Sequence, residues 1–201
     1  EVGISMVADL KEKGYNVLAT GEMGIGNTTT SSAVCSVLLD QSVEKVTGKG
    51  AGLTNKDLEH KIEVIRQSIA LNKVNADDPL DVLAKVGGLD IAGMAGCYIG
   101  GAALNIPVFI DGFISSVAAL IAIRLVPECA PYLFPSHCSN EPAGRMILDA
   151  IGKQPYILAN MCLGEGTGAV MGFTIADYAF KAYWELPSFE QTNFGTYEEL
   201  N

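Results

Sequence analysis

The sequence predicts an α/β protein built on a mostly parallel, three-layer sheet, and three observations carry that expectation. Short apolar runs, "NVLAT" at 16–20 and "PVFIDG" at 107–112, each lead through a glycine-bearing turn into a helical pattern. Hairpin chemistry is scarce, so the strands are expected to be joined by helical crossovers, the connection that parallel strands need. Hydrophobic residues fill 49% of the 201 positions and charged residues 18%, a composition that can bury a substantial core.

Taken in order, residues 1–13 read as an amphipathic helix closed by Gly14. The strand at 16–20 enters "GEMGIGNTTT" (21–30), which runs on into a helix over 28–40. A second glycine cluster follows at Gly48, Gly50 and Gly52. Thr54 is expected to N-cap the next helix with Asp57 three residues later, and Leu58, Ile62, Ile65 and Ile69 share one apolar face. Asp78-Pro79 opens a short helix that Gly87-Gly88 ends. A Gly/Ala-rich helix over 89–104, the buried strand 107–112 ending in Asp111, and a buried helix over 113–126 stopped by Pro127 come next. Residues 133–152 read as a loop and then a helix from about Pro142. A third glycine loop, "LGEGTGA" at 163–169, starts a long helix, and the tail from Pro187 to Asn201 is polar. The whole of 1–201 is expected to form one α/β domain of catalytic type.

Composition excludes several classes. A net charge of −10 would repel nucleic acid and anionic lipid over most of the surface, so an anionic ligand needs a local, preorganised site. The five cysteines are scattered and lack any C-x-x-C pair, which favours reduced thiols and a cytoplasmic protein over a disulfide framework or zinc site. His137-Cys138 is an adjacent ligand-type pair, but no second pair stands at ligand spacing, so no metal is expected. The uncharged run from Ile91 to Ile110 is read as a buried helix and strand and not as a membrane span. Its glycines, Asn105, Pro107 and the lack of basic flanks argue for that reading. Glu1 opens inside a helical pattern, so the chain is expected to be part of something longer.

The motifs narrow the chemistry. "GEMGIGNTTT" lacks the lysine of a phosphate-binding P-loop, and as a dinucleotide fingerprint it fails at Thr29. A strand, a glycine-rich turn and a helix N-terminus still offer unpaired N–H groups and a positive dipole end to one phosphate. Lys61 sits on the flank of its helix's apolar face. It reads either as an anion ligand or as a lysine whose ammonium reaches out to solvent along its stem. Glu165, between Gly164 and Gly166, can accept a proton from a flat substrate or simply complement a helix dipole. Polar residues at strand ends line the crevice of open α/β sheets, which points to Asp111.

Together "GEMGIGNTTTSSAV", "TGKGAGL", "GGLDIAGMAGCYIGGAALNIPVFIDGFISSVAAL", "SHCSNEPAGRMILDAIG" and "LGEGTGAVMGF" resemble the nicotinate-nucleotide:dimethylbenzimidazole phosphoribosyltransferases of cobalamin lower-ligand assembly. The resemblance covers nearly the whole chain. It implies a Rossmann-like parallel sheet, a homodimer, no cofactor, and transfer of phosphoribose from nicotinate mononucleotide to a benzimidazole nitrogen. By the same resemblance Glu165 is the general base, and Glu22, Gly24, Ile25, Gly26, Asn27, Lys61 and Ser139 are phosphoribosyl contacts. Thr28, Gly50, Leu163 and Gly164, inside the matched motifs, and Asp111 at its strand end complete the expected substrate-binding set. Full-length members also carry an N-terminal segment with a K-P-x-G-S-L-G motif that this sequence does not contain, so the chain reads as the C-terminal portion. A non-catalytic module that binds a nucleotide phosphate without transferring it is the alternative reading of the same loops.

Overall fold

The structure is a computed structural model and describes residues 1–192. Its sheet has the parallel order β1 (Leu18–Ala19), β2 (Val108–Ile110), β3 (Leu133–Pro135), with Val108 opposite both Leu18 and Leu133. The first two strands are those expected, shortened at both ends. The third corrects the expectation, which made 133–152 a loop and a helix. A strand of three residues shows no alternation of its own, and Pro135 argues against a strand unless it lies at an edge, as it does among the described residues.

Helices cover both faces of the sheet, as the pleat of β2 requires. Val108 and Ile110 join the main core, which α6 (Leu89–Ala103) and α7 (Phe113–Leu125) share. Phe109 points the other way, stacking on Phe134 and meeting the Phe173 ring edge-on at 5.0 Å on α9 (Thr167–Glu185). Every residue of α7 from Phe113 to Ala122 is buried, which is why that helix is apolar all round.

The remaining helices form a second group beside this sheet. They are α2 (Asn27–Leu38), α3 (Val43–Val46), α4 (Asn55–Leu71) and α5 (Pro79–Val86). The expected cap of α4 is present in both directions: the Asp57 N–H donates to the Thr54 hydroxyl, and the Thr54 N–H donates to the Asp57 carboxylate. Asp78 caps α5 through the N–H groups of Leu80 and Asp81. α1 (Val2–Glu12) packs on the glycine-rich side of α6, and α8 (Gly144–Ala150) lies against α7. α3 and a 3-10 turn at Pro127–Tyr132 are additions to the expected elements.

The uncharged run from Ile91 to Ile110 divides into α6 and β2, and among the described residues no helix is long and apolar enough to cross a membrane. Most of the polar tail expected from Pro187 to Asn201 lies outside the described residues.

Candidate active site

All three strands end toward one side of the molecule, and the segments that follow them meet there. After β1 the chain turns at Gly24 and Gly26, whose φ values of 82° and 81° place both in the left-handed region. The Glu22 carboxylate closes this turn by accepting the Gly24 N–H. Gly26 is the N-cap of α2 and, among the described residues, no side chain takes the first amides of that helix. They remain as donors at the positive end of its dipole.

α4 lies beside α2 and brings the missing cation to this loop. The side chain of Lys61 is buried, and its Nζ donates to Thr28 Oγ1 at 2.9 Å and to the Gly48 carbonyl at 3.0 Å. The ammonium therefore points inward, and the outward-reaching alternative is not the one adopted. Burial pulls the Lys61 amine below its usual range, and the nearby Glu141 carboxylate partly offsets this. Burial pushes the Glu141 carboxyl up, opposed by Lys61 and by the Gly50 amide. The two shifts agree that desolvation outweighs their mutual attraction. Glu141 Oε2 is buried with no hydrogen-bond partner among the described residues.

The third glycine loop closes the site from the other side. Gly164, Glu165 and Gly166 have φ values of 76°, 58° and 80°, three successive left-handed residues of which the middle one is not glycine. The Glu165 N–H donates to the Glu22 carbonyl at 2.9 Å, so the first and third glycine loops are hydrogen-bonded to each other. A side chain at Gly21 would stand 2.5 Å from the Gly166 nitrogen, which explains the glycine there. Glu165 itself is exposed.

A cavity of about 200 Å³ lies between these loops. Glu22, Gly24, Thr28, Gly50, Ser139, Leu163 and Gly164 border it. Lys61 and Glu165 do not line it themselves: Lys61 is hydrogen-bonded to Thr28, which does, and Glu165 is the neighbour in sequence of Gly164, which does. Three further expected ligands do not line this cavity either. Ile25 is 77% exposed, Gly26 caps α2, and Asn27 gives its amide to Asp90 Oδ2 at 2.7 Å. Asp111 is also outside it, with both carboxylate oxygens occupied by backbone N–H groups of Gly166, Gly168 and Ala169.

Among the bordering residues outside the expected set are Glu141 and His137. Both lie in "SHCSNEPAG", from which Ser139 alone had been taken. His137 follows directly on β3, and the rule that strand ends line the crevice would have found it had that strand been visible. The Ser136 hydroxyl gives its proton to the Ile110 carbonyl at 2.7 Å, so the 3.0 Å contact with His137 Nδ1 assigns the imidazole proton to Nδ1. Burial holds this imidazole below its ordinary pKa, with Asp111 opposing.

Residues 1–194 match the model of a family described as phosphoribosyltransferase. The chain is 54% identical over 200 residues to the nicotinate-nucleotide–dimethylbenzimidazole phosphoribosyltransferase of Ruminiclostridium cellulolyticum, covering 100% of this chain and 57% of that protein. It is 50% identical over 198 residues to the one of Acetivibrio thermocellus, covering 98% and 56%. A crystal structure of the Thermus thermophilus enzyme superimposes with a TM-score of 0.87 at 32% identity, covering 96% of this chain and 57% of the other. The chain thus spans a little over half the length of the curated relatives it matches. On this match and this identity, the chain belongs to the nicotinate-nucleotide:dimethylbenzimidazole phosphoribosyltransferase family.

Proposed function

We propose that this chain supplies the phosphate cradle and the proton acceptor for transfer of phosphoribose from nicotinate mononucleotide to 5,6-dimethylbenzimidazole or a related base. The observation that carries this reading is the hydrogen bond from the Glu165 N–H to the Glu22 carbonyl, which ties the carboxylate loop to the glycine cradle across one cavity. The 5′-phosphate is held by Lys61, Thr28, the first amides of α2 and the Gly50 and Ser139 side of the cavity. The bond between C1′ and the pyridinium nitrogen breaks with its electron pair passing to that nitrogen, which leaves as nicotinate. The unprotonated azole nitrogen forms the new bond to C1′ with its lone pair, and the proton on the other ring nitrogen passes to Glu165, giving α-ribazole 5′-phosphate. Since the leaving group is already cationic, positioning and proton removal are the tasks left to the protein.

Incubation with nicotinate mononucleotide and dimethylbenzimidazole, followed by chromatography, tests this. Release of nicotinate in step with the riboside phosphate, reduced to a small residual rate in Glu165→Gln, is the expected result. Mononucleotide binding without release of nicotinate would instead make the chain a binding module.

The functional unit we propose is a homodimer, and the support is the C-terminal half of α9, where Tyr178, Tyr183 and Trp184 are 68%, 76% and 76% exposed, large apolar side chains of the kind that mark an interaction surface. Light scattering on the purified protein decides this, a monomer mass being the contrary result. A cytoplasmic location is supported by five free cysteines.

A further inference from the structure

We propose that Asp111 is a positioning residue that acts through Glu165 and not a ligand of the substrate. This rests on the reading of Glu165 as the proton acceptor. Asp111 stands at the end of β2, 1% exposed. Its Oδ2 accepts the Gly166 N–H at 2.9 Å, and its Oδ1 accepts those of Gly168 at 2.8 Å and Ala169 at 3.2 Å. These donors are the N-cap and the second and third residues of α9, so a residue rooted in the central strand holds the first turn of the helix that follows Glu165.

The loop needs such a hold. A non-glycine residue in the left-handed region is strained, and Glu165 sits there between two glycines of the same conformation. Released from its anchors, the loop has every reason to relax. On one side its anchor is the Glu22 carbonyl, and on the other it is Asp111. The neighbouring imidazole reinforces the second anchor without competing for it. His137 Nδ1 is 4.0 Å from Asp111 Oδ1 and gives its proton to Ser136, so both Asp111 oxygens stay free for the backbone. The ring also fills the space beside Gly168, where a Cβ would lie 2.0 Å from Nδ1, and so fixes how closely α9 approaches the strand.

A carboxylate is an acceptor only, which suits three N–H donors. An amide in its place turns one NH2 group toward a donor and breaks part of the clasp with no change of size. The effect on chemistry follows from geometry: a shift of about 1 Å in a reacting group lowers rate on the order of a hundredfold. The phosphate end, built from Lys61 and Thr28, does not share these bonds.

The test is a double-mutant cycle in the full-length protein, with kcat and the KM of each substrate measured for wild type, Asp111→Asn, Glu165→Gln and the double variant. The expected result for Asp111→Asn is a kcat lower by about ten- to a hundredfold with the KM for nicotinate mononucleotide unchanged. In the Glu165→Gln background the same substitution is expected to cause no further loss, because the group it positions is gone. Asp111→Glu keeps the charge, and it carries the same cycle if circular dichroism shows that Asp111→Asn is not folded. Equal losses in both backgrounds, or a raised mononucleotide KM at unchanged kcat, would overturn the positioning role and leave the proposed reaction intact. Full activity of Glu165→Gln would overturn the assignment of the base and this inference with it.

Discussion

Replacing Lys61 by Met removes the ammonium and keeps most of the stem, so the cavity behind Thr28 stays filled. Two hydrogen bonds are lost, to Thr28 Oγ1 and to the Gly48 carbonyl, at about 1 kcal/mol each. Against this stands the relief of burying a charge that desolvation already disfavours. The two effects oppose each other, and stability is expected to change by no more than about 2 kcal/mol. Ligand binding has no such compensation. A charge-assisted bond from a buried ammonium to a phosphate oxygen contributes about 2–3 kcal/mol, which is about a 30- to 140-fold loss of affinity at roughly 1.4 kcal/mol per tenfold. Calorimetric titration with nicotinate mononucleotide reads this loss, and nicotinate riboside, which lacks the phosphate, provides the internal control. Wild type is expected to prefer the nucleotide, and Lys61→Met to show a preference smaller by that factor. A variant that keeps full preference for the nucleotide would refute the placement of the phosphate beside Lys61.

Glu141→Gln removes a negative charge from the cavity wall while keeping an acceptor for the Gly50 amide, so mononucleotide affinity is expected to rise several-fold at low salt; weaker binding would contradict the electrostatic reading. His137, held below its ordinary value of 6.5, binds fewer protons in the folded than in the unfolded protein. Stability that it contributes is therefore present at neutral pH and lost as the pH falls below about 6.5. Thermal melts at pH 7.5 and 5.5 should converge when His137 is replaced by Gln, and an unchanged pH dependence would remove His137 as the cause. Phe109→Ala opens the contact between sheet and α9 and is expected to cost about 3–5 kcal/mol by urea unfolding. A loss below about 1 kcal/mol would mean that α9 does not depend on this ring.

Local signals in the sequence were sufficient where the chain's chemistry acts on its own backbone. Thr54 and Asp57 announce α4 because both halves of the capping box are made within four residues, and the structure contains both bonds. Where tertiary pairing decides, the reading failed. β3 owes its conformation to β2 beside it, since "LFP" carries no periodicity. Lys61 was placed correctly on its helix, but only the neighbouring Thr28 and Gly48 show which way it turns. Asp111 was rightly found at a strand end, yet its partners arrive from residues 166–169, a separation at which pattern has nothing to say. His137 was weighed as a metal ligand. Its place beside the cavity depends on the strand that escaped notice.

We place the phosphate at the Lys61 end and the transferred proton at the Glu165 end of one site, and a crystal structure of the protein with nicotinate mononucleotide bound tests this. The phosphate is expected within hydrogen-bond reach of Lys61 Nζ and the first amides of α2, with C1′ turned toward the Gly164–Gly166 loop. A phosphate seated elsewhere, or a ribose turned away from Glu165, would contradict it.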